Sequence, residues 1–215
     1  MLMLDSVDMV RIGTLLETSL FQGITSNPTI LARAGLSQDS IPELYARAEG
    51  LGVSLVAFQS VGENERELRV SAEQIAQLGP RVIVKLPALR EAYSIARSLV
   101  DNGVRVLLTA VYHPAQALLA GDVGAWGIAP YAGRLYDFGT DAVEAIGTMV
   151  DILQGSTVRV LAASLRNPDL IAQLSARGVS DFTVSPSVAD SLVDNSRTIQ
   201  AVNDFMSDAK RSNDV

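Results

Sequence analysis

The sequence predicts a single (β/α)8, or TIM, barrel followed by one additional C-terminal helix. Three observations predict it. Short apolar, β-branched runs alternate with longer amphipathic stretches in eight units of roughly 25 residues each. The runs are apolar almost throughout, as strands of a parallel sheet buried on both faces must be. Glycine closes several helical stretches just before the next run, as in "NGV" (102–104), "QGSTV" (154–158) and "RGV" (177–179). The competing fold is an open doubly wound sheet, for which the chain offers no glycine-rich phosphate fingerprint.

The predicted strands, in order, are "LMLD" (2–5), "FQGIT" (21–25), "VSLVAFQ" (53–59), "RVIVKL" (81–86), "VRVLLTA" (104–110), "AWGIAP" (125–130), "TVRVLAAS" (157–164) and "DFTVS" (181–185). The intervening segments carry helical spacing. In 65–78, Leu68, Ala72, Ile75 and Leu78 recur at three- and four-residue steps and mark one face. No low-complexity linker divides the chain, and 215 residues fit one domain spanning 1–215. Residues 195–215 predict one further helix and a frayed tail. Its apolar Ile199, Val202, Phe205 and Met206 need a surface to cover, either the barrel or a neighbouring subunit.

Composition excludes several classes of function. A net charge of −7 with scattered arginines argues against a nucleic-acid footprint. The absence of cysteine rules out disulfides, thiolate catalysis and zinc–thiolate sites. A single histidine, His113, argues against a Ser-His-Asp triad or a multi-histidine metal centre, so no metal or other cofactor is expected. The N-terminus lacks the basic and apolar regions of a signal peptide, and no apolar run approaches membrane-spanning length. A cytoplasmic protein without membrane partners is expected.

In such barrels, chemistry sits at the C-terminal ends of the strands. There the chain places Asp5, then Thr25 and Asn27 in "TSNPT", Gln59, Lys85, Thr109, Tyr131 with Arg134, and Ser164 with Arg166. Each also has a purely structural reading. Asn27-Pro28 is a good helix start. Asp5 could cap a helix beginning near Val7. Gln59 and Thr109 could hydrogen-bond within the barrel, and Tyr131 could simply pack. Arg134 and Arg166 could be surface charges. His113, opening a helix in "VYHPAQ", reads as a surface or capping residue.

Lys85 is the sharpest signal. The chain has fifteen arginines and only two lysines, Lys85 and Lys210, and Lys85 stands inside "RVIVKLP". An unpaired buried ammonium is expensive. Dehydration lowers a lysine's pKa and populates the neutral amine, which can attack a ketone or aldehyde and form a Schiff base. The iminium is then an electron sink for breaking or making the adjacent carbon–carbon bond, with no metal required. The structural alternative is a barrel lysine neutralised by Asp5, which apolar residues could replace at little cost. Arg134, Ser164 and Arg166 offer donors suited to a phosphate. The residues therefore point to a Schiff-base aldolase or transaldolase acting on a sugar phosphate.

Taken together, "LDS" (4–6), "GITSNPTIL" (23–31), "VIVKLP" (82–87), "LTAVYHPAQALLA" (108–120), "IAPYAGRL" (128–135) and "LAASLRNP" (161–168) resemble the short-chain transaldolase family, which includes fructose-6-phosphate aldolase. The resemblance runs from about residue 4 to at least residue 186. It implies a barrel with the Schiff-base lysine on strand four, where Lys85 falls. It also implies a homodecamer of two stacked pentamers, with the last helix packing on a neighbour. Transaldolases of the family typically carry Glu on strand three and Phe after strand six, whereas the aldolases carry Gln and Tyr; this chain has Gln59 and Tyr131. Arg166 after Ser164 matches the transaldolase pattern instead, and "LDS" and "TSNP" replace the usual "LDT" and "TTNP". His113 and Pro114 stand where small residues are common. The implied roles are Lys85 as nucleophile, Asp5 and Asn27 orienting substrate hydroxyls, and Gln59, Thr109 and Tyr131 holding a catalytic water. Thr25 supports the substrate site, while Arg134, Ser164 and Arg166 bind phosphate. The expected reaction is reversible cleavage of fructose 6-phosphate into dihydroxyacetone and glyceraldehyde 3-phosphate. The alternatives are transfer of the dihydroxyacetone unit to erythrose 4-phosphate and a non-catalytic sugar-phosphate-binding barrel.

Overall fold

The structure, a computed structural model, describes residues 1–213. Eight parallel strands close into a barrel in sequential order, with the last pairing with the first. They are β1 (Leu2–Asp5), β2 (Phe21–Thr25), β3 (Leu55–Gln59), β4 (Val82–Pro87), β5 (Arg105–Val111), β6 (Gly127–Pro130), β7 (Arg159–Ala162) and β8 (Asp181–Val184). The surrounding helices are α1 (Met9–Leu16), α2 (Pro28–Arg33), α3 (Ile41–Gly50), α4 (Glu65–Ala76), α5 (Arg90–Asp101), α6 (Ala115–Val123), α7 (Ala132–Asp137), α8 (Ala142–Ile152), α9 (Pro168–Ala176) and α10 (Pro186–Val193). The additional C-terminal helix is α11 (Ser196–Asn213); the expected frayed end at 214–215 lies outside the described residues.

Each strand falls on its predicted run, but β3, β6 and β7 begin two residues late. For β3 and β6 the cause is the turn before them. Gly52 and Gly124 take left-handed φ of 77° and 74°, and the next residue turns its N–H back to the helix it has just left. Val53 N donates to Ala48 O at 3.1 Å and Ala125 N to Ala120 O at 3.0 Å, so neither is available to the sheet. This is the Schellman stop, and it recurs at Gly35, Gly103 and Gly178. At the other end of β7, Ser164 takes φ +60° and leaves the ladder early.

Odd-numbered residues point into the barrel. Met3, Ala57, Ile83, Leu107, Ala129 and Leu161 form their own buried cluster there. This apolar layer is a floor. Below it Arg159 donates to the buried Asp181 at 2.7 and 3.1 Å. Above it the inward residues turn polar: Asp5, Thr25, Lys85, Thr109 and Thr183.

The structural alternative for Asp5, a cap on the first helix, does not hold. Asp8 is the cap, accepting from Val10 N and Arg11 N at 3.1 Å, and α1 begins at Met9. Asp5, on an inward strand position, accepts the Thr25 hydroxyl instead. Asn27 and Pro28 do start α2, with Asn27 Oδ1 accepting from Ile30 N at 3.0 Å. His113 Nδ1 accepts from Ala115 N at 3.1 Å at the start of α6, the capping role expected of it.

Candidate active site

A cavity of about 310 Å3 opens above the apolar floor at the C-terminal ends of the strands. Asp5, Thr25, Asn27, Lys85, Thr109, Tyr131, Arg134, Ser164 and Arg166 all line it. Gln59 ends β3 in register with Lys85 but does not line the cavity.

Lys85 is 4% exposed, and its Nζ donates to the Ser26 carbonyl at 2.6 Å. Burial pushes its ammonium below the ordinary lysine range, and the charge of Asp5 opposes that shift in part. Asp5 is itself held: Thr25 Oγ1 lies 2.6 Å from its Oδ1 and 2.6 Å from Thr183 Oγ1. Across the cavity the Tyr131 hydroxyl and Thr109 Oγ1 stand 3.0 Å apart. Burial raises the Tyr131 phenol, the Thr109 hydrogen bond lowers it, Asp5 raises it, Arg134 lowers it and Tyr112 raises it. The phenol therefore stays protonated at neutral pH and can donate a proton.

Asn27 serves both readings. Its oxygen caps α2, which leaves the amide nitrogen as a donor at the cavity wall. Arg134, on α7, lies over the Tyr131 ring at 5.1 Å and reaches the Tyr112 hydroxyl at 3.4 Å. Arg166 is less open than the sequence implied. Its two terminal nitrogens clasp Asp137, one at 2.8 Å and the other closer, and this holds the Asp137 carboxyl below the usual range. Much of the Arg166 charge is thus neutralised beside the mouth.

Sequence reasoning missed Thr183, Thr29 and Arg33, which also line the cavity. Thr183 had a usable signal, since it occupies the inward polar position of β8 that Thr25 and Thr109 occupy on their strands. Arg33 comes from the last turn of α2 and has no such signal. The Ser26 carbonyl that receives Lys85 is a backbone group and has no side-chain signature.

Among the described residues no cluster of three or more His, Cys, Asp or Glu could hold a metal ion. No helix of the described residues is long and apolar enough to cross a membrane.

Comparison with known proteins bears on the fold and the family. Mandelate oxidase structures superpose with a TM-score of 0.62 at 16% identity over 88% of this chain and 65% of theirs, a likeness of fold alone. A probable transaldolase from Hyphomonas neptunium is 31% identical over 212 residues, covering 97% of this chain and 96% of the relative. One from Caulobacter vibrioides is 28% identical over 207 residues, covering 95% and 94%. The family model for transaldolase/fructose-6-phosphate aldolase matches residues 2–214. With a buried lysine on the fourth strand facing a carboxylate and a phenol, and with this match along nearly its whole length, the chain belongs to the transaldolase/fructose-6-phosphate aldolase family, whose members act on sugar phosphates.

Proposed function

We propose that this enzyme is a Schiff-base aldolase that reversibly cleaves fructose 6-phosphate into dihydroxyacetone and glyceraldehyde 3-phosphate. The observation that carries the reading is Lys85, buried and depressed in pKa at the floor of a cavity it shares with Asp5 and the Thr109–Tyr131 pair. The Lys85 amine attacks the ketose carbonyl, water leaves, and an iminium forms. Removal of the C4 hydroxyl proton breaks the C3–C4 bond. The electron pair flows into the iminium to give an enamine, and the aldehyde departs. Protonation of the enamine carbon followed by attack of water frees dihydroxyacetone and restores the amine. Tyr131 is the acid/base for these transfers, with Asp5 assisting and Asn27 orienting hydroxyls. A water held against the directly bonded Thr109–Tyr131 pair supplies the proton; Gln59, which ends β3 outside the cavity, is left out of that network. The phosphate sits at the outer wall on Arg134 and Ser164, with Arg33 and the partly neutralised Arg166 beside them.

The second reading is a transaldolase, favoured by Arg166 after Ser164 and by relatives named probable transaldolases. A two-substrate assay separates them. Release of free dihydroxyacetone without an acceptor supports the aldolase; product that forms only when erythrose 4-phosphate is added sinks it. Tyr131→Phe removes the hydroxyl paired with Thr109, so the enamine waits longer for an acceptor. Transfer relative to release is expected to rise about tenfold, and an unchanged ratio would count against the water network.

The exposed apolar face of α11, with Ile199, Val202, Phe205 and Met206 all at least half exposed, supports a homo-oligomer, by the family resemblance a decamer. Light scattering is expected to give ten times the 22.9 kDa chain mass, and a monomer would overturn the assignment. A cytoplasmic location fits a chain without cysteine.

A further inference from the structure

Between β5 and α6 the chain leaves the sheet abruptly. Ala110 takes φ +55°, the register with β6 shifts between Thr109 and Val111, and Pro114 precedes the helix. Residues 112 and 113 therefore carry N–H groups that neither strand nor helix pairs. Gln116, in the first turn of α6, takes both: its Oε1 accepts from Tyr112 N at 2.9 Å and from His113 N at 3.0 Å. Its Nε2 donates to Ala88 O at 3.3 Å, one residue past the strand that carries Lys85. Ala88 N in turn donates to Thr109 O at 2.9 Å. One side chain thus ties the exits of β4 and β5 together.

The segment it holds presents Tyr112 to the site. The Tyr112 ring meets Tyr131 edge-on, 5.8 Å between centroids at 75°, and its hydroxyl receives Arg134. Its other side packs on Phe138 at 5.9 Å. We infer that Gln116 is a positioning residue: by fixing the backbone of Tyr112 it sets where the Tyr131 hydroxyl and the Arg134 guanidinium stand. The inference rests on the reading of Tyr131 as the acid. Gln116 meets the Lys85 strand only past its end, at the Ala88 carbonyl, so Schiff-base formation on Lys85 should depend on it far less than proton transfer at Tyr131 does.

The groups facing the Tyr131 phenol are Thr109, Asp5, Arg134 and Tyr112. Loosening Tyr112 admits water and weakens the burial that is the largest cause raising the phenol, so the basic limb of the pH–rate profile moves to lower pH, a shift that release of Arg134 opposes only in part. The test uses the full-length enzyme with Gln116→Leu, Gln116→Glu and Tyr131→Phe. In Gln116→Leu, turnover is expected to fall about tenfold and the basic limb to drop, while borohydride trapping of dihydroxyacetone on Lys85 continues at the wild-type level. Gln116→Glu keeps the acceptor for both N–H groups and should hold the limb at or above its wild-type position. If Gln116→Leu fails to fold, Tyr112→Leu tests the same link and should lower the limb in the same direction. A melting temperature that falls with an unmoved limb makes Gln116 a structural brace only and overturns the inference. A limb that persists in Tyr131→Phe overturns the reading of Tyr131, and the inference with it; loss of the trap in the wild type overturns the Schiff-base reading itself.

Discussion

Replacing Lys85 with methionine is expected to abolish turnover, by at least about 10⁴-fold, while leaving the barrel folded. The two halves of that result have separate causes. Without an amine there is no iminium, and no other group in the cavity can serve as an electron sink. The fold, by contrast, has little reason to need the charge. Methionine has similar length, and although removing one partner of a fully buried charge pair is costly, Asp5 is only partly buried and keeps its access to solvent. Asp5 keeps its Thr25 hydrogen bond, and the main loss is the 2.6 Å contact to the Ser26 carbonyl, worth about 1 kcal/mol. A melting temperature a few degrees below that of the wild type is therefore expected. Scarcity of lysine makes the chemical readout clean. Lys210, the only other one, is exposed on α11, so a reduced dihydroxyacetone adduct mapped to Lys85 and absent from the variant decides the matter. Turnover within about tenfold of the wild type would overturn the assignment of Lys85 as nucleophile.

Gly133→Ala is expected to be the most damaging small substitution near the mouth. The first turn of α7 lies directly against the exit of β7: Ala132 N donates to Ala163 O at 2.9 Å and Gly133 N to Ser164 O at 3.0 Å. A Cβ at position 133 would overlap the Ser164 carbonyl oxygen and crowd Ser164 Oγ at 3.2 Å and Arg166 Nε at 3.1 Å. None of these is the loose end of a flexible chain. Ser164 is already in the left-handed region at φ +60°, so it has little room to yield. Overpacking of this kind costs about 1–3 kcal/mol. The chemical effect should be uneven. Displacement of α7 and Ser164 moves Arg134 and the phosphate wall but leaves Lys85 in place. KM for the phosphorylated substrate is expected to rise about tenfold or more, while trapping of unphosphorylated dihydroxyacetone on Lys85 persists. Equal loss of both readouts would mean the whole barrel had been disturbed, and the assignment of this wall to phosphate would fail.

Much of this was legible in the chain because a parallel barrel is demanding. Its strands are buried on both faces, so runs such as "RVIVKL" and "VRVLLTA" stand out, and the polar residue at each strand end stands out against them. Ends were less legible where backbone geometry overrode side-chain character. Val53 and Ala125 look like strand residues and are buried like them, yet their N–H groups belong to the preceding helix stop. The capping alternative for Asp5 falls for a related reason. Asp5 and Asp8 are both plausible caps in sequence, and only the barrel's inward parity distinguishes them. Pairings between distant segments left no trace: the Asp137–Arg166 clasp and the Ser26 carbonyl on Lys85 exist only once the strands are side by side.

The apolar layer of Met3, Ile83, Leu107 and Leu161 beneath Lys85 dictates an order of events. It closes the barrel from below, so the cavity has one door. A substrate must, under the proposed chemistry, back in carbonyl first, with its charged phosphate trailing at the arginines. Under the proposed chemistry the aldehyde lost in the first half-reaction leaves through that same opening, and whatever quenches the enamine must wait its turn. Water and a second sugar then compete for a vacated berth rather than for the enzyme as a whole, and the choice between cleavage and transfer becomes a race at a single doorway.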